Sequence, residues 1–282
     1  MPELPEVENA VKGLKVVLNK TIKDVWTDTP KIIKKPESFF LFKKKISQKK
    51  IEKIERKGKN IILSLSGNLY LLIHLKMTGH LLFGRWSFKD SKWVPEEGGP
   101  LNDPMNLFVR VVFFFSDNSM MALSDLRKFA KIELWEKKIN LNLGPDALEV
   151  SLRDFIEIIK KEKRKIKQVL MDQEVVSGIG NIYSDEILWA SRIHPFRGSS
   201  SLTEKETKEI FKSTREILKK AIKLKGDSMS DFRLPTGEKG GFQKEHKVYR
   251  REGENCFSCK EKIKRVRIGG RSAHFCPKCQ KD

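Results

Sequence analysis

The run IKQVLMDQEVVSGIGNIYSDEIL, residues 166–188, decides the fold of the second half of this 282-residue chain. A short helix is predicted over Ile166–Gln173, a turn at Gly178-Ile179-Gly180-Asn181, and a second helix from about Ile182 to Ser191. Glycines let the backbone approach a ligand closely, and the amides that open the next helix face an anion. Two helices around such a turn form a phosphate-gripping device. Alone the signal is weak, because short glycine turns are mostly only turns.

The flanks extend this helical half. Ser151 to Lys163 reads as a serine-capped helix with Phe155, Ile158 and Ile159 inward. Thr203-x-x-Glu206 is a capping box that opens a long amphipathic helix ending at Gly226. The texture changes at Leu143-Gly144-Pro145-Asp146, which predicts a linker. Before it the signal is β from about residue 21 to 136. Ile61–Leu65, Leu69–Leu75, Leu107–Phe115 and Met120–Leu123 are short apolar runs, punctuated by Ser66-Gly67-Asn68 and Asp117-Asn118. Strands at this spacing predict a two-sheet sandwich. Residues 3–19 read as a helix from Leu4, Val7, Val11, Leu14 and Leu18. Residues 87–106 and 226–245 read as loops, the second one flexible. The expected class is therefore α+β: an N-terminal β-sandwich domain over 1–142, a helical domain over 143–240, and a small module over 241–282.

That module holds all four cysteines of the chain, as Cys256-x2-Cys259 and Cys276-x2-Cys279. This is the spacing of a tetrathiolate zinc ribbon. Four thiolates leave no open position on the metal, so one structural Zn2+ is expected. Disulfides are the competing reading, and the acidic start without an apolar stretch predicts no secretory signal.

The net charge of +20 favours polyanions, nucleic acid before anionic membrane. No membrane span is indicated. Residues 31–59 hold twelve Lys/Arg against three acids, and residues 240–282 hold twelve against five. A solvated charged face is the plain reading of either run. Two basic blocks at opposite ends of the chain suggest two sides of a cleft around a phosphate backbone. The expected location is the cytoplasm, at the nucleoid through DNA binding.

Pro2 follows the initiator methionine. Removal of Met1 leaves a proline whose ring nitrogen is also the α-amine, and such an amine titrates near neutrality, about 7.7–8.0. Unprotonated, it attacks aldehyde-like carbons to give an iminium. Taken alone, Pro2 is as readily a stiff, protease-resistant start.

Together these segments resemble the formamidopyrimidine-DNA glycosylase family from end to end. The matching stretches are PELPEVE at 2–8, RKGKN at 56–60, HLKMTGHL at 74–81, DLRKFA at 125–130 and LGPD at 143–146. They continue with the quoted run at 166–188, IHP at 193–195, GEKGGFQ at 237–243, VYRREGENC at 248–256 and GRSAHFCPKCQ at 270–280. The resemblance implies a bifunctional base-excision repair enzyme. It would remove oxidised purines such as 8-oxoguanine and formamidopyrimidines, then nick the strand by β,δ-elimination. Its partner would be double-stranded DNA containing a damaged base, and a monomer is expected.

The resemblance also implies roles. Pro2 would attack C1′ of a flipped-out nucleotide. Glu3 matches the general acid/base carboxylate, and Glu6 a second carboxylate that supports the DNA-bound site. Lys59 matches a lysine acting on phosphate and in elimination. Arg271 matches the finger arginine that grips the lesion phosphates and assists the second elimination, with Asn181 gripping the same backbone. Lys163 and Lys167 match DNA-contacting lysines. Met77, Arg127 and Phe129 match residues that fill the hole left by the flipped base. Other readings stand beside these: a helix-dipole partner for Glu3, solvated lysines for Lys59, Lys163 and Lys167, and core packing for Met77 and Phe129.

Three stretches depart from the family pattern. Leu126 and Ala130 stand where Pro and Gly are usual, and alanine disfavours positive φ. Asn102-Asp103-Pro104-Met105-Asn106 replaces a histidine-containing segment. The lesion-recognition loop Asp227–Gly237 contains an unusual Asp231-Phe232-Arg233-Leu234-Pro235 stretch. Two alternatives remain: an endonuclease VIII-like glycosylase for oxidised pyrimidines, and a non-enzymatic zinc-ribbon protein that binds damaged DNA. Leu4 and the long recognition loop speak against the first. The joint presence of Pro2, Glu3 and Lys59 speaks against the second.

Overall fold

The computed structural model describes residues 1–281. The chain divides into two compact units, Met1–Leu141 with Leu224–Gln243, and Asn142–Lys223 with Lys244–Asp282.

The first unit opens with α1 (Leu4–Gly13), continued by a 3-10 turn at Leu14–Val17. The predicted helix over 3–19 is thus shorter, because at Leu18 the backbone leaves helical space, with ψ 139°. Then come β1 (Thr21–Thr27), β2 (Ile33–Lys35), α2 (Phe39–Ile46), β3 (Lys49–Lys57), β4 (Asn60–Leu65), β5 (Leu69–His74) and β6 (His80–Gly84). A hairpin of β7 (Trp86–Lys89) and β8 (Lys92–Pro95) precedes β9 (Val109–Phe115), β10 (Met120–Ser124) and β11 (Lys131–Trp135).

The long strands follow the order β2-β11-β5-β4-β3-β1-β9-β10-β6. β1 and β3 share only the pairs Thr21↔Lys50 and Ile22↔Lys49, so the array is two sheets joined along one edge. Period-two alternation explains the sandwich. Ile61, Leu63 and Leu65 face a core with Ile22, Val111, Phe113 and Met121 of the other sheet. Ile62 and Leu72, on the opposite face, pack with Ile139.

The hairpin β7–β8 was not expected, since charge and proline in 87–106 read as loop. Asp90 and Ser91 both take positive φ, 49° and 61°, which suits a two-residue hairpin turn. Trp93 supplies the apolar anchor: its ring lies 5.4 Å from Trp26 and 5.6 Å from Phe114.

The second unit contains α3 (Leu152–Lys161), α4 (Ile166–Met171), α5 (Asn181–Ala190) and α6 (Glu204–Lys223). The predicted caps are present. The Ser151 hydroxyl accepts Asp154 N–H at 3.1 Å, and the Thr203 backbone N–H donates to Glu206 Oε2 at 2.8 Å. The hairpin β12 (Lys264–Ile268) and β13 (Arg271–Phe275) closes on Gly269-Gly270, with φ 55° and 79°. Glu186 anchors the approach to this module. Its buried carboxylate accepts the backbone N–H groups of Lys247, Val248 and Tyr249.

Candidate functional site

In the first unit, Glu3 is the N-cap of α1 and is 2% exposed. Its backbone N–H donates to Glu6 Oε2 at 2.8 Å, and its carboxylate faces the Glu6 backbone in a capping box. Glu6 Oε1 accepts the Asp227 N–H at 2.8 Å. Glu6 is thus buried and fully engaged within the protein. Its carboxylate holds the backbone of both Glu3 and Asp227. Pro2 immediately precedes this N-cap, at the end of the helix where the positive end of the dipole would disfavour a protonated amine once Met1 is removed.

Lys59 sits in the two-residue turn between β3 and β4, where Gly58 takes φ 55°. Arg56 ties that turn to α1: its Nε donates to Glu8 Oε2 at 2.8 Å and its guanidinium to Gly58 O at 3.2 Å. Lys59 is buried to 5% exposure, so it is not a solvated member of the basic block. His74, to which the sequence alone assigns no role, ends β5 beside it. Burial first, then the charges of Lys76, Lys59 and Lys131, hold the His74 pKa down to about 4. The Lys76 backbone N–H donates to His74 Nδ1 at 3.0 Å. A neutral imidazole among three lysines suits an anion. The histidine in the HLKMTGHL stretch was the available signal.

Two loops bring Met77, Arg127 and Phe129 together. The Asp125 carboxylate organises them: it accepts the Thr78 hydroxyl, and Ala130 N–H at 2.8 Å. The Thr78 hydroxyl in turn accepts Arg127 N–H at 3.0 Å. The Arg127 guanidinium stacks 4.6 Å from the Phe129 ring centre. Phe129 is 52% exposed and Met77 half-buried, which is not the placement of core residues. Lys31, Lys34, Lys76 and Lys128 line the same groove. The positive φ in this loop falls on Lys128, at 58°, and not on Ala130, so the loop forms without a glycine at 130.

In the second unit, Gln173 builds the glycine turn. Its side-chain amide donates to Met171 O and Ile179 O, each at 2.8 Å, and its Oε1 accepts Gly178 N–H at 2.9 Å. Gly178 takes φ 108°, which favours glycine. Asn181 then opens α5 and donates to Ser272 Oγ at 3.2 Å. Beside it, exposed Arg271 shares an open groove with Arg265 and Arg267.

Lys163 is exposed in the turn after α3. Lys167 departs from its expected surface position. It is 1% exposed, its ammonium paired with Asp185 and 3.1 Å from Ser184 Oγ. The residue lies on the buried face of α4 with Ile166, Val169 and Leu170, and an ammonium there requires the carboxylate. Asp185 also accepts the His274 backbone N–H at 3.0 Å, which ties β13 to α5.

The sulfurs of Cys256, Cys259, Cys276 and Cys279 lie within 4.8 Å of one another. Tetrahedral zinc with Zn–S of about 2.3 Å spaces its sulfurs about 3.8 Å apart. The set fits one structural zinc, which anchors the β12–β13 hairpin. No helix among the described residues is long and apolar enough to cross a membrane.

An enclosed carboxylate beside Pro2, a glycine turn before a helix and an arginine hairpin held at a four-cysteine zinc site define a protein built to act on nucleic acid. Family models match throughout: the formamidopyrimidine-DNA glycosylase N-terminal domain over residues 1–132, its H2TH domain over 143–233, and the zinc finger found in FPG and IleRS over 253–281. Formamidopyrimidine-DNA glycosylases of Bacillus cereus and Heliobacterium modesticaldum are 36% and 37% identical, covering at least 99% of each chain. Two solved structures of the Lactococcus lactis enzyme align over the whole of both chains at 32% identity and TM-score 0.85. One is a variant with Fapy-dG DNA, the other the wild type with DNA containing an oxidised pyrimidine. The chain belongs to the formamidopyrimidine-DNA glycosylase family.

Proposed function

We propose that this protein excises oxidised purines from duplex DNA and cleaves the resulting abasic site. The observation that carries this reading is the buried Glu3 capping α1 directly after Pro2, in a chain that matches the family along its whole length.

The chemistry starts once Met1 is removed. The Pro2 nitrogen lone pair forms a bond to C1′ while the C1′–N bond to the base breaks, and the departing base takes up a proton. Glu3 handles the proton that must move when the sugar ring opens to the iminium. The iminium acidifies C2′–H, so loss of that proton expels the 3′ phosphate, and a second elimination expels the 5′ phosphate. Lys59 assists the elimination. Arg271 and Asn181 hold the phosphates, Lys163 adds a peripheral contact, and Met77, Arg127 and Phe129 fill the vacated stack. Lys167 and Glu6 act by position, as the partners of Asp185 and of Asp227. The protein works as a monomer at the nucleoid.

Borohydride trapping on an 8-oxoguanine duplex tests this. A covalent adduct mapped to Pro2 is the expected result, and Glu3→Gln should bind the duplex without releasing the base. An adduct on Lys59 with Pro2 unmodified would overturn the proline mechanism. A thymine-glycol duplex belongs in the same assay, because the Lactococcus lactis relative has been solved with an oxidised pyrimidine.

A further inference from the structure

The segment Asp227–Gly237 starts at the Glu6 carboxylate, which also holds the backbone of Glu3. It therefore borders the place where a base leaves C1′ near Pro2. Ordering a free loop of this length would cost conformational entropy at every residue. Here it is built into the first unit by the very stretch that departs from the family, Asn102–Asn106.

We propose that Asp103 and Arg233 form a latch that fixes this segment over the N-terminal site before DNA arrives, making both positioning residues for the damaged base. The proposal rests on the glycosylase reading above. Arg233 is 4% exposed, and its guanidinium lies 3.0 Å from Asp103 Oδ1. The same guanidinium donates to Ser230 O at 3.0 Å and Phe232 O at 2.9 Å, so it clamps the loop's own backbone. Phe232 and Leu234 on either side are buried. Lys239 also approaches Asp103, at 3.5 Å, but it is exposed and contributes little.

Asn106 makes the second tie. Its Oδ1 accepts His80 Nε2–H at 2.9 Å, and its amide donates to Pro100 O at 2.8 Å and Gly237 O at 3.2 Å. One side chain thus joins β6, the 100–106 stretch and the far end of the loop. Between the ties, Pro235 O accepts the backbone N–H of Phe83, in β6, at 2.8 Å. Close packing leaves no slack: a Cβ on Gly13 would meet the Pro235 ring at 2.8 Å, and one on Gly237 would meet the Pro100 backbone at 2.7 Å.

A latched segment matters where a base must be held, and not where none is present. Base excision should therefore depend on the pair, whereas cleavage of a preformed abasic site should not. The experiment compares wild type, Asp103→Asn, Arg233→Gln and the double variant as full-length zinc-loaded proteins. Single-turnover excision of 8-oxoguanine, cleavage of an abasic duplex, and hydrogen exchange across 227–237 without DNA are measured. Each single variant should lose about tenfold in excision and lose exchange protection, with abasic cleavage kept within about twofold. The double variant should be no worse than the poorer single, and Asp103→Glu should restore most of the rate. The latch is overturned if excision is unchanged, if both activities fall together, or if the two single effects add. Should an Asn or Gln variant fail to fold, Arg233→Lys, which keeps the charge but loses the guanidinium fork that donates to Ser230 O and Phe232 O, is read by the same comparison. If the wild type acts on neither substrate, the glycosylase reading fails, and exchange across 227–237 alone decides whether the pair fixes the segment.

Discussion

Glu6 and Asp227 are far apart in sequence, yet Glu6 Oε1 accepts the Asp227 backbone N–H at 2.8 Å. Gly226 lies against the same carboxylate, with φ 79° and room for no Cβ: one built there would sit 2.8 Å from Glu6 Oε1. Glu6→Gln would set an amide N–H against one of two backbone donors. The expected cost is about 1–3 kcal/mol of stability together with slower excision. Gly226→Ala should cost stability through the same contact. Thermal melting and single-turnover excision check both, and wild-type behaviour in Glu6→Gln would remove the carboxylate from the site.

The void-filling assignment makes a prediction that core packing does not. Phe129 is half-exposed, so Phe129→Ala should change stability by no more than about 0.5 kcal/mol. It should nevertheless slow excision from a paired lesion more than from a single-stranded one, where no hole opens. Arg127→Ala should also relax discrimination of the base opposite the lesion. Equal losses on both substrates, or a large drop in melting temperature, would return Phe129 to a packing role.

Zinc should be separable from the sandwich. Cys259→Ser, or metal removal by a chelator, should release the β12–β13 hairpin and with it Arg271. Lesion binding should fall sharply while the cooperative unfolding of the first unit persists in the whole protein. Full-affinity binding by metal-free protein would show that the finger is dispensable.

Arg271 is exposed in a groove of arginines, so its contribution should be electrostatic. Binding to undamaged duplex should weaken steeply with salt, with a log–log slope of about −0.9 per neutralised phosphate. Arg271→Ala should reduce that slope by about one and weaken all sequences alike. Asn181→Ala should weaken lesion binding with the slope almost unchanged. An unchanged slope in Arg271→Ala would mean the arginine touches no phosphate.

Acid should destabilise the fold through two histidines. Burial lowers His80 to about 4, and burial with the surrounding lysines lowers His74 to about 4, against 6.5 in an unfolded chain. As pH falls below 6.5 the unfolded chain takes up these protons first. Their contribution is complete above about 6.5 and is lost as pH falls towards 4. Glu186, whose carboxyl burial pushes up, acts with the opposite sign. His80→Gln isolates one term: urea midpoints should depend less on pH between 6.5 and 4 than in the wild type. An equal dependence would show that His80 does not carry the effect.

Much of this molecule is legible locally. Alternating Ile61, Leu63 and Leu65 state a strand with one face inward, and Ser151 and Thr203 state where helices begin. The cysteine spacing states a tetrahedral site. Each such signal depends on neighbours in sequence, whose geometry the backbone period dictates.

Tertiary structure decided what depends on distant partners. No local pattern distinguishes Lys167, buried on Asp185, from Lys163, exposed in a turn. The β7–β8 hairpin exists because Trp93 finds Trp26 and Phe114, and the Asp227–Gly237 segment is ordered because Arg233 finds Asp103. Charge and hydrogen-bonding capacity are written in the residue, but the partner that satisfies them is chosen by the fold. A buried ion pair forms only where packing has already excluded water, and that exclusion belongs to the assembled chain.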